Sequence, residues 1–300
     1  TTADILKYLT VKFEEMFRRN EKFKNLCEQR DAVSRLANSS HGLFIWAYVV
    51  SRFLGDFSSE ERLQSALDMI LPQDAPGVIV LNNLYATVLN GVAAEHGDED
   101  VKSHIRTILG LVIAVGRLEG IQGGPGLTDI ILRGLLKHLT NKADDILSLL
   151  PRLGAVIEGV HTPHARLSLL HKSFEDYLAD NSRSGYAWCI DMEGHWMPKV
   201  AEYCIHMVHS NVFSDTPEIS DISSFASQYW TIAFLAHLNS SCPFPTESEP
   251  SQLLLDTLQQ GLLRWVCYAR NHKGAGCDNN VFSLTYGGLN KVRTFPEISL

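Results

Sequence analysis

The feature that most constrains this chain is the recurrence of apolar residues at helical spacing along nearly all of its 300 residues. Ile5, Leu9 and Phe13 form one such stripe, and Leu84 and Val88 belong to another. Residues spaced by three or four share one face of an α-helix, so each stripe predicts an amphipathic helix that buries one side. The pattern therefore predicts a mainly α fold.

Two short stretches, 155–160 and 166–170, depart from helical spacing. In the second, Leu167 and Leu169 alternate with polar neighbours, which is the pattern of a half-buried strand. The sequence HTPHA at 161–165 is typical of a turn. Together these segments predict a single β-hairpin.

The elements around this hairpin follow the order of a winged helix: three helices, a hairpin and a final helix. After residue 186 the apolar spacing is helical again and is compatible with repeat-like helix pairs. The predicted winged-helix elements are, in order, helices at 105–115, 128–138 and 144–153, strands at 155–160 and 166–170, and the helix Ser173–Ala179.

The joint between the second strand and the final helix reads RLSLLHKSFEDYLAD, from residue 166 to residue 180. Phe174, Tyr177 and Leu178 fall on one helical face and are predicted core, whereas Lys172 and Glu175 are predicted to face solvent. Ser173 is the predicted N-cap, and Asp176, three residues later, makes the sequence close to a capping box.

His171 lies at or just before this predicted helix N-terminus. The first backbone N–H groups of a helix and its positive dipole end are a natural place to meet an anion. An anion contact therefore competes with a simpler interpretation, in which His171 only caps or packs at the joint.

The formal net charge of −8 argues against broad binding to nucleic acid or to anionic membranes. The helix at 144–153 begins with two aspartates, which disfavours DNA binding through the third helix of a winged helix. No apolar run reaches transmembrane length. The six cysteines are scattered and mostly lie among apolar neighbours, so we expect reduced thiols and a cytoplasmic protein.

Cys204, His206 and His209 form a C-x-H-x-x-H motif that could hold zinc, as in a metal-dependent hydrolase. The apolar neighbours of these residues favour the alternative of a packed core helix, so no metal site is predicted here. His161 and His164 could similarly bind a metal, but an exposed turn is the simpler interpretation. No G-x-S-x-G nucleophile elbow occurs, which disfavours a hydrolase of that type, and no acid–base pair stands out.

Several segments, taken in order, resemble the fungal NACHT-type STAND NTPases, which are NOD-like ATPases of signal transduction. The resemblance runs from about Asp4 to past Leu238, and LHKSFEDYL is its most specific element. The segments are GLFIWA (42–47), NNLYATVL (82–89), ILGLVIAV (108–115), LLPRLGAVI (149–157), LLHKSFEDYLAD (169–180), WCIDMEG (188–194) and SQYWTIAFLAHL (227–238).

The family holds ADP or ATP with Mg²⁺ through a G-x-x-x-x-G-K-S/T loop and an acidic strand, and neither occurs here. The resemblance therefore implies a non-catalytic fragment that follows an NTPase core in the same polypeptide. It would comprise a helical lid at 1–95, a winged-helix subdomain at 96–182 and a helical linker at 183–300. C-terminal sensor repeats and self-association on activation are also implied.

In animal NACHT proteins the histidine of the matching H-x-S-F motif contacts the β-phosphate of ADP and holds the resting form closed. Carried onto this chain, that residue is His171. The resemblance thus implies a role in coupling nucleotide state to open and closed conformations. The alternative is an all-helical protein–protein interaction scaffold with no nucleotide role.

Overall fold

The structure is a computed structural model that describes residues 1–55, 60–71, 77–94, 99–122 and 126–213, and a few isolated residues beyond. Within these ranges the chain forms twelve α-helices and one two-stranded antiparallel sheet. The prediction of a mainly α fold with a β-hairpin is therefore confirmed. The winged-helix and repeat-like assignments stay predictions.

Helices account for most of the regular structure, and the two strands lie between the ninth and tenth of them. The helices are α1 (Thr2–Phe17), α2 (Glu21–Gln29), α3 (Ala32–Ser39), α4 (Phe44–Gly55), α5 (Glu60–Ile70), α6 (Gly77–Ala94), α7 (Glu99–Gln122), α8 (Asp129–Leu139), α9 (Ala143–Ser148), α10 (Lys172–Ala179), α11 (Asn181–Trp188) and α12 (Met197–Phe213). The strands are β1 (Ile157–Glu158) and β2 (Ser168–Leu169), a 3₁₀ turn spans Leu150–Leu153, and a π-helical turn spans Met192–Trp196.

The chain divides into two compact units. The first contains Thr1–Ile108, Ile146–Pro163 and Ser168–Ile190, and the second contains Leu109–Asp145, His164–Leu167 and the chain from Asp191 onward. The division falls within α7, so this helix contributes to both units. The predicted subdomains 1–95, 96–182 and 183–300 follow other bounds and stay predictions.

The first unit is built on α1, which packs against α3 and α4. Ile5, Leu9 and Phe13 are fully buried along one face of α1, as their spacing predicts. The ring of Phe13 lies 6.0 Å from that of Phe23 in α2, which is also fully buried. Thr1 and Asp4 form a capping box that satisfies the first backbone donors of α1.

The hairpin of the first unit is shorter than predicted. Ile157 pairs with Leu169 and Glu158 with Ser168, so each strand has two residues. The next element, α10, begins three residues after Leu169 and buries Phe174, Tyr177 and Leu178, which confirms its predicted core face.

The second unit packs α8 against α12. Thr128 caps α8 by accepting a hydrogen bond from the backbone N–H of Ile131. Trp196, in the π-helical turn, lies directly against Gly110 of α7, where a Cβ atom would overlap its indole ring.

Two predicted helices differ in extent from the observed ones. The helix expected at 144–153 is split after Ser148, because Pro151 has no backbone N–H to continue the α-helical ladder and a 3₁₀ turn follows. The helix expected at 105–115 is longer, since α7 covers Glu99–Gln122. The helix α11 is capped by Asp180, which accepts from the N–H of Ser182, and it is interrupted at Gly185, whose backbone has φ 67° and ψ 170°.

Most of the segment 214–300 lies outside the described residues, and with it most of the predicted helical linker and the segment at 227–238. Cys242, Cys267 and Cys277 also lie there. In the described part of the chain Cys27, Cys189 and Cys204 are free thiols.

Candidate functional site

The joint between β2 and α10 is the site that the sequence singles out. His171 is exposed and has the extended backbone of an N-cap residue, with φ −157° and ψ 145°. Its ring Nδ1 accepts a hydrogen bond of 3.1 Å from the backbone N–H of Ser173. The predicted N-cap, Ser173, is therefore wrong: His171 caps α10, and Ser173 supplies the N–H that is capped.

The hydroxyl of Ser173 is engaged by two side chains. Its Oγ lies 2.8 Å from Nδ1 of His171 and 2.8 Å from the hydroxyl of Tyr85 in α6. Because Nδ1 accepts from the backbone N–H of Ser173, it carries no proton, and its single lone pair is shared with the Ser173 hydroxyl. With its proton directed to Nδ1, Ser173 accepts from Tyr85. The neutral ring of His171 then carries its proton on Nε2, and this is the donor left to a ligand.

Tyr85 connects the hydrogen bonds of Ser173 and His171 to the core of the first unit. Its side chain is 1% exposed, and its ring lies 4.7 Å from that of Phe174 and 5.5 Å from that of Tyr177. Burial raises the pKa of the Tyr85 hydroxyl, and the hydrogen bond with Ser173 opposes this shift in part. Tyr85 therefore remains a hydrogen-bond donor at neutral pH.

The charges next to His171 are one ammonium and two carboxylates, so together they are negative. Nζ of Lys172 lies 2.7 Å from a carboxylate oxygen of Glu175 and 3.7 Å from one of Asp176. The prediction that Glu175 faces solvent is wrong, because its side chain is only 15% exposed beside Lys172. A phosphate at His171 would thus gain little from Lys172 and would need further ligands from outside this joint.

The C-x-H-x-x-H residues do not come together. Cys204 is fully buried, and burial raises the pKa of its thiol far above the ordinary range, so it is neither accessible nor ionised. His206 instead faces His138 of α8, with ring centroids 4.9 Å apart, and Glu202 lies beside both. Neither His138 nor Glu202 was predicted from the sequence, although Glu202 and His206 are separated by one helical turn, which is a detectable signal.

The two histidines of the hairpin turn are both exposed. His164 has a positive φ of 59°, and its backbone N–H donates to Oδ1 of Asp129 at 3.2 Å. This bond gives His164 a structural role at the start of α8.

Comparison with known proteins leaves the family open. No protein-family model matches the chain, and no significantly similar curated protein or solved structure is found. None of the helices in the described part combines the length and apolar character needed to cross a bilayer.

Proposed function

We propose that this chain is the regulatory, non-catalytic portion of a NACHT-type STAND NTPase. In this proposal it follows a nucleotide-binding core in the same polypeptide and couples the ADP or ATP state of that core, with Mg²⁺, to closed and open conformations. The winged-helix region docks onto the core in the ADP state and is released on activation.

The observation that carries this proposal is the geometry of His171. The side chain is exposed, its ring is held through Nδ1 by two hydrogen bonds to Ser173, and its remaining donor is Nε2–H. A donor held this way can meet a phosphate oxygen with little loss of side-chain freedom. The compensated charge of Lys172 is consistent with a core that supplies the other phosphate ligands.

The proposed mechanism is a shift between two conformations. The contact from Nε2 of His171 to the phosphate exists only when this region is docked, so the contact favours the closed state over the open one. A hydrogen bond to a charged group contributes about 1.5–3 kcal/mol. Its loss would therefore speed ADP release by roughly 10- to 150-fold.

The test is the rate of ADP dissociation from the full-length protein, compared among wild type, His171→Ala and His171→Asn. Asparagine is a good N-cap, so His171→Asn keeps α10 capped but removes the ring nitrogen that would reach the phosphate. We expect both variants to release ADP faster than wild type. His164→Asn is the matched control, since it removes an exposed histidine elsewhere.

Two results would contradict the proposal. One is unchanged ADP release in both His171 variants. The other is an upstream coding sequence with no G-x-x-x-x-G-K-S/T loop, because the phosphate contact would then have no partner. Either result favours the interaction scaffold.

A further inference from the structure

Three potential metal ligands meet where α8 packs against α12 in the second unit. His138 lies in the last turn of α8, and Glu202 and His206 lie one turn apart on α12. One ligand atom from each of the three lies within 4.8 Å of the other two. Nε2 of His138 is 3.9 Å from Oε1 of Glu202.

We propose that His138, Glu202 and His206 form a zinc site. Two imidazoles and one carboxylate are a ligand set that Zn²⁺ takes in proteins, with a fourth position open to water. Zinc–ligand bonds of about 2.0–2.2 Å in a tetrahedron place ligand atoms about 3.3 Å apart. His138 and Glu202 therefore need to close by only about 0.6 Å, and no pair by more than about 1.5 Å, which side-chain rotations provide.

The packing of the two helices positions these ligands. Gly134 lies one turn before His138 in α8, and a Cβ atom there would overlap the hydroxyl of Tyr203 in α12. The absence of a side chain at Gly134 lets α8 and α12 approach closely. The ring of Tyr203 also packs edge-on against His138 at 5.4 Å, which restricts the imidazole.

The site is accessible to an ion from solvent. The side chains of His138 and Glu202 are 24% and 35% exposed, so water can supply the fourth ligand without a buried path. By contrast, the fully buried Cys204 is excluded from the set, although it lies between Glu202 and His206 in the sequence. Bound zinc would link α8 to α12 and stabilise the second unit against unfolding.

The experiment titrates Zn²⁺ into the metal-free 300-residue chain by calorimetry. We expect one ion per chain, and a loss of affinity of at least about tenfold in His138→Gln, Glu202→Gln and His206→Gln. His209→Gln is the matched control, because it removes a histidine of the same helix that lies outside the proposed set. Its affinity is expected to equal that of wild type.

Two further measurements on the unmodified chain do not depend on whether the variants fold. Bound Co²⁺ should show no thiolate charge-transfer band, since no cysteine is in the proposed set. Zn²⁺ should also protect His138 and His206, but not His164, from acylation by diethyl pyrocarbonate, as read by peptide mass spectrometry.

The proposal is overturned if wild type binds no stoichiometric Zn²⁺. It is also overturned if a thiolate band appears, or if binding is lost in His209→Gln and retained in His138→Gln. None of these results bears on ADP release, so this proposal and the proposed function fail independently.

Discussion

The hydroxyl of Tyr85 lies 2.8 Å from Oγ of Ser173, and this hydrogen bond joins two residues that are 88 positions apart in the chain. Ser173 in turn holds Nδ1 of His171 at the N-terminus of α10. A buried tyrosine of α6 thus sets the orientation of an exposed histidine. A change in the packing of α6 would therefore change the orientation of the His171 ring.

The bond between Tyr85 and Ser173 should be measurable as a coupling energy. Tyr85→Phe removes the hydroxyl from a buried position and is expected to lower the free energy of unfolding by about 0.5–1.5 kcal/mol. Urea denaturation of Tyr85→Phe, Ser173→Ala and the double variant measures the coupling. Strict additivity of the two single effects would show that this bond does not contribute to stability.

The cap formed by His171 should contribute to stability independently of any nucleotide. His171→Ala leaves the backbone N–H of Ser173 without its acceptor and is expected to cost about 0.5–2 kcal/mol in the free energy of unfolding. His171→Asn restores a side-chain acceptor and should recover most of this loss. Thermal and urea denaturation of the three proteins provide the measurement, and equal stability of all three would contradict the cap.

Two glycines of α7 should respond oppositely to the same substitution. Gly110→Ala places a methyl group against the indole of Trp196 and is expected to destabilise by about 1–3 kcal/mol. Gly116→Ala meets no neighbouring atom within 4 Å, so its better helix propensity should stabilise by up to about 1 kcal/mol. Denaturant unfolding of both variants is the test, and stabilisation by Gly110→Ala would contradict the observed packing.

The ion pair between Glu119 and Arg166 is expected to make the stability of the second unit depend on pH. The side chain of Glu119 is only 6% exposed, and its carboxylate lies 2.6 Å from the guanidinium of Arg166. Burial raises the pKa of Glu119 above its ordinary value of 4.5, and Arg166 opposes that shift. The folded chain therefore retains this proton at pH values where the unfolded chain has lost it.

The contribution of Glu119 to the free energy of unfolding is greatest below pH 4.5, the ordinary pKa of the group. This contribution declines as the pH rises through the higher pKa of Glu119 in the folded chain. Arg166→Met should raise the folded pKa of Glu119 further, because the opposing charge is gone. It is expected to lower the free energy of unfolding by about 1–3 kcal/mol at neutral pH, and by less in acid. The measurement is urea unfolding across the pH range, with Glu119→Gln/Arg166→Met as the control that should remove the added pH dependence. An equal cost of Arg166→Met at all pH values would contradict this account.

The candidate site was only partly predictable from the sequence. The change from strand spacing to helical spacing correctly placed His171 at the joint. The cap was wrongly assigned to Ser173, because local preferences favour serine and give no sign that Tyr85 engages its hydroxyl. The spacing of the C-x-H-x-x-H motif groups Cys204 with His206, but it gives no sign that His206 faces His138 of another helix.

The sequence by itself determined the mainly α fold, the presence of one hairpin and the core face of α10 at Phe174, Tyr177 and Leu178. These features depend on periodicity and on backbone hydrogen bonds between near neighbours. Only the tertiary structure decided that Tyr85 reaches Ser173 and that His138 meets the α12 ligands. Such contacts require helices distant in sequence to pack closely, and the packing depends on side-chain shape throughout the interface, which local periodicity does not encode.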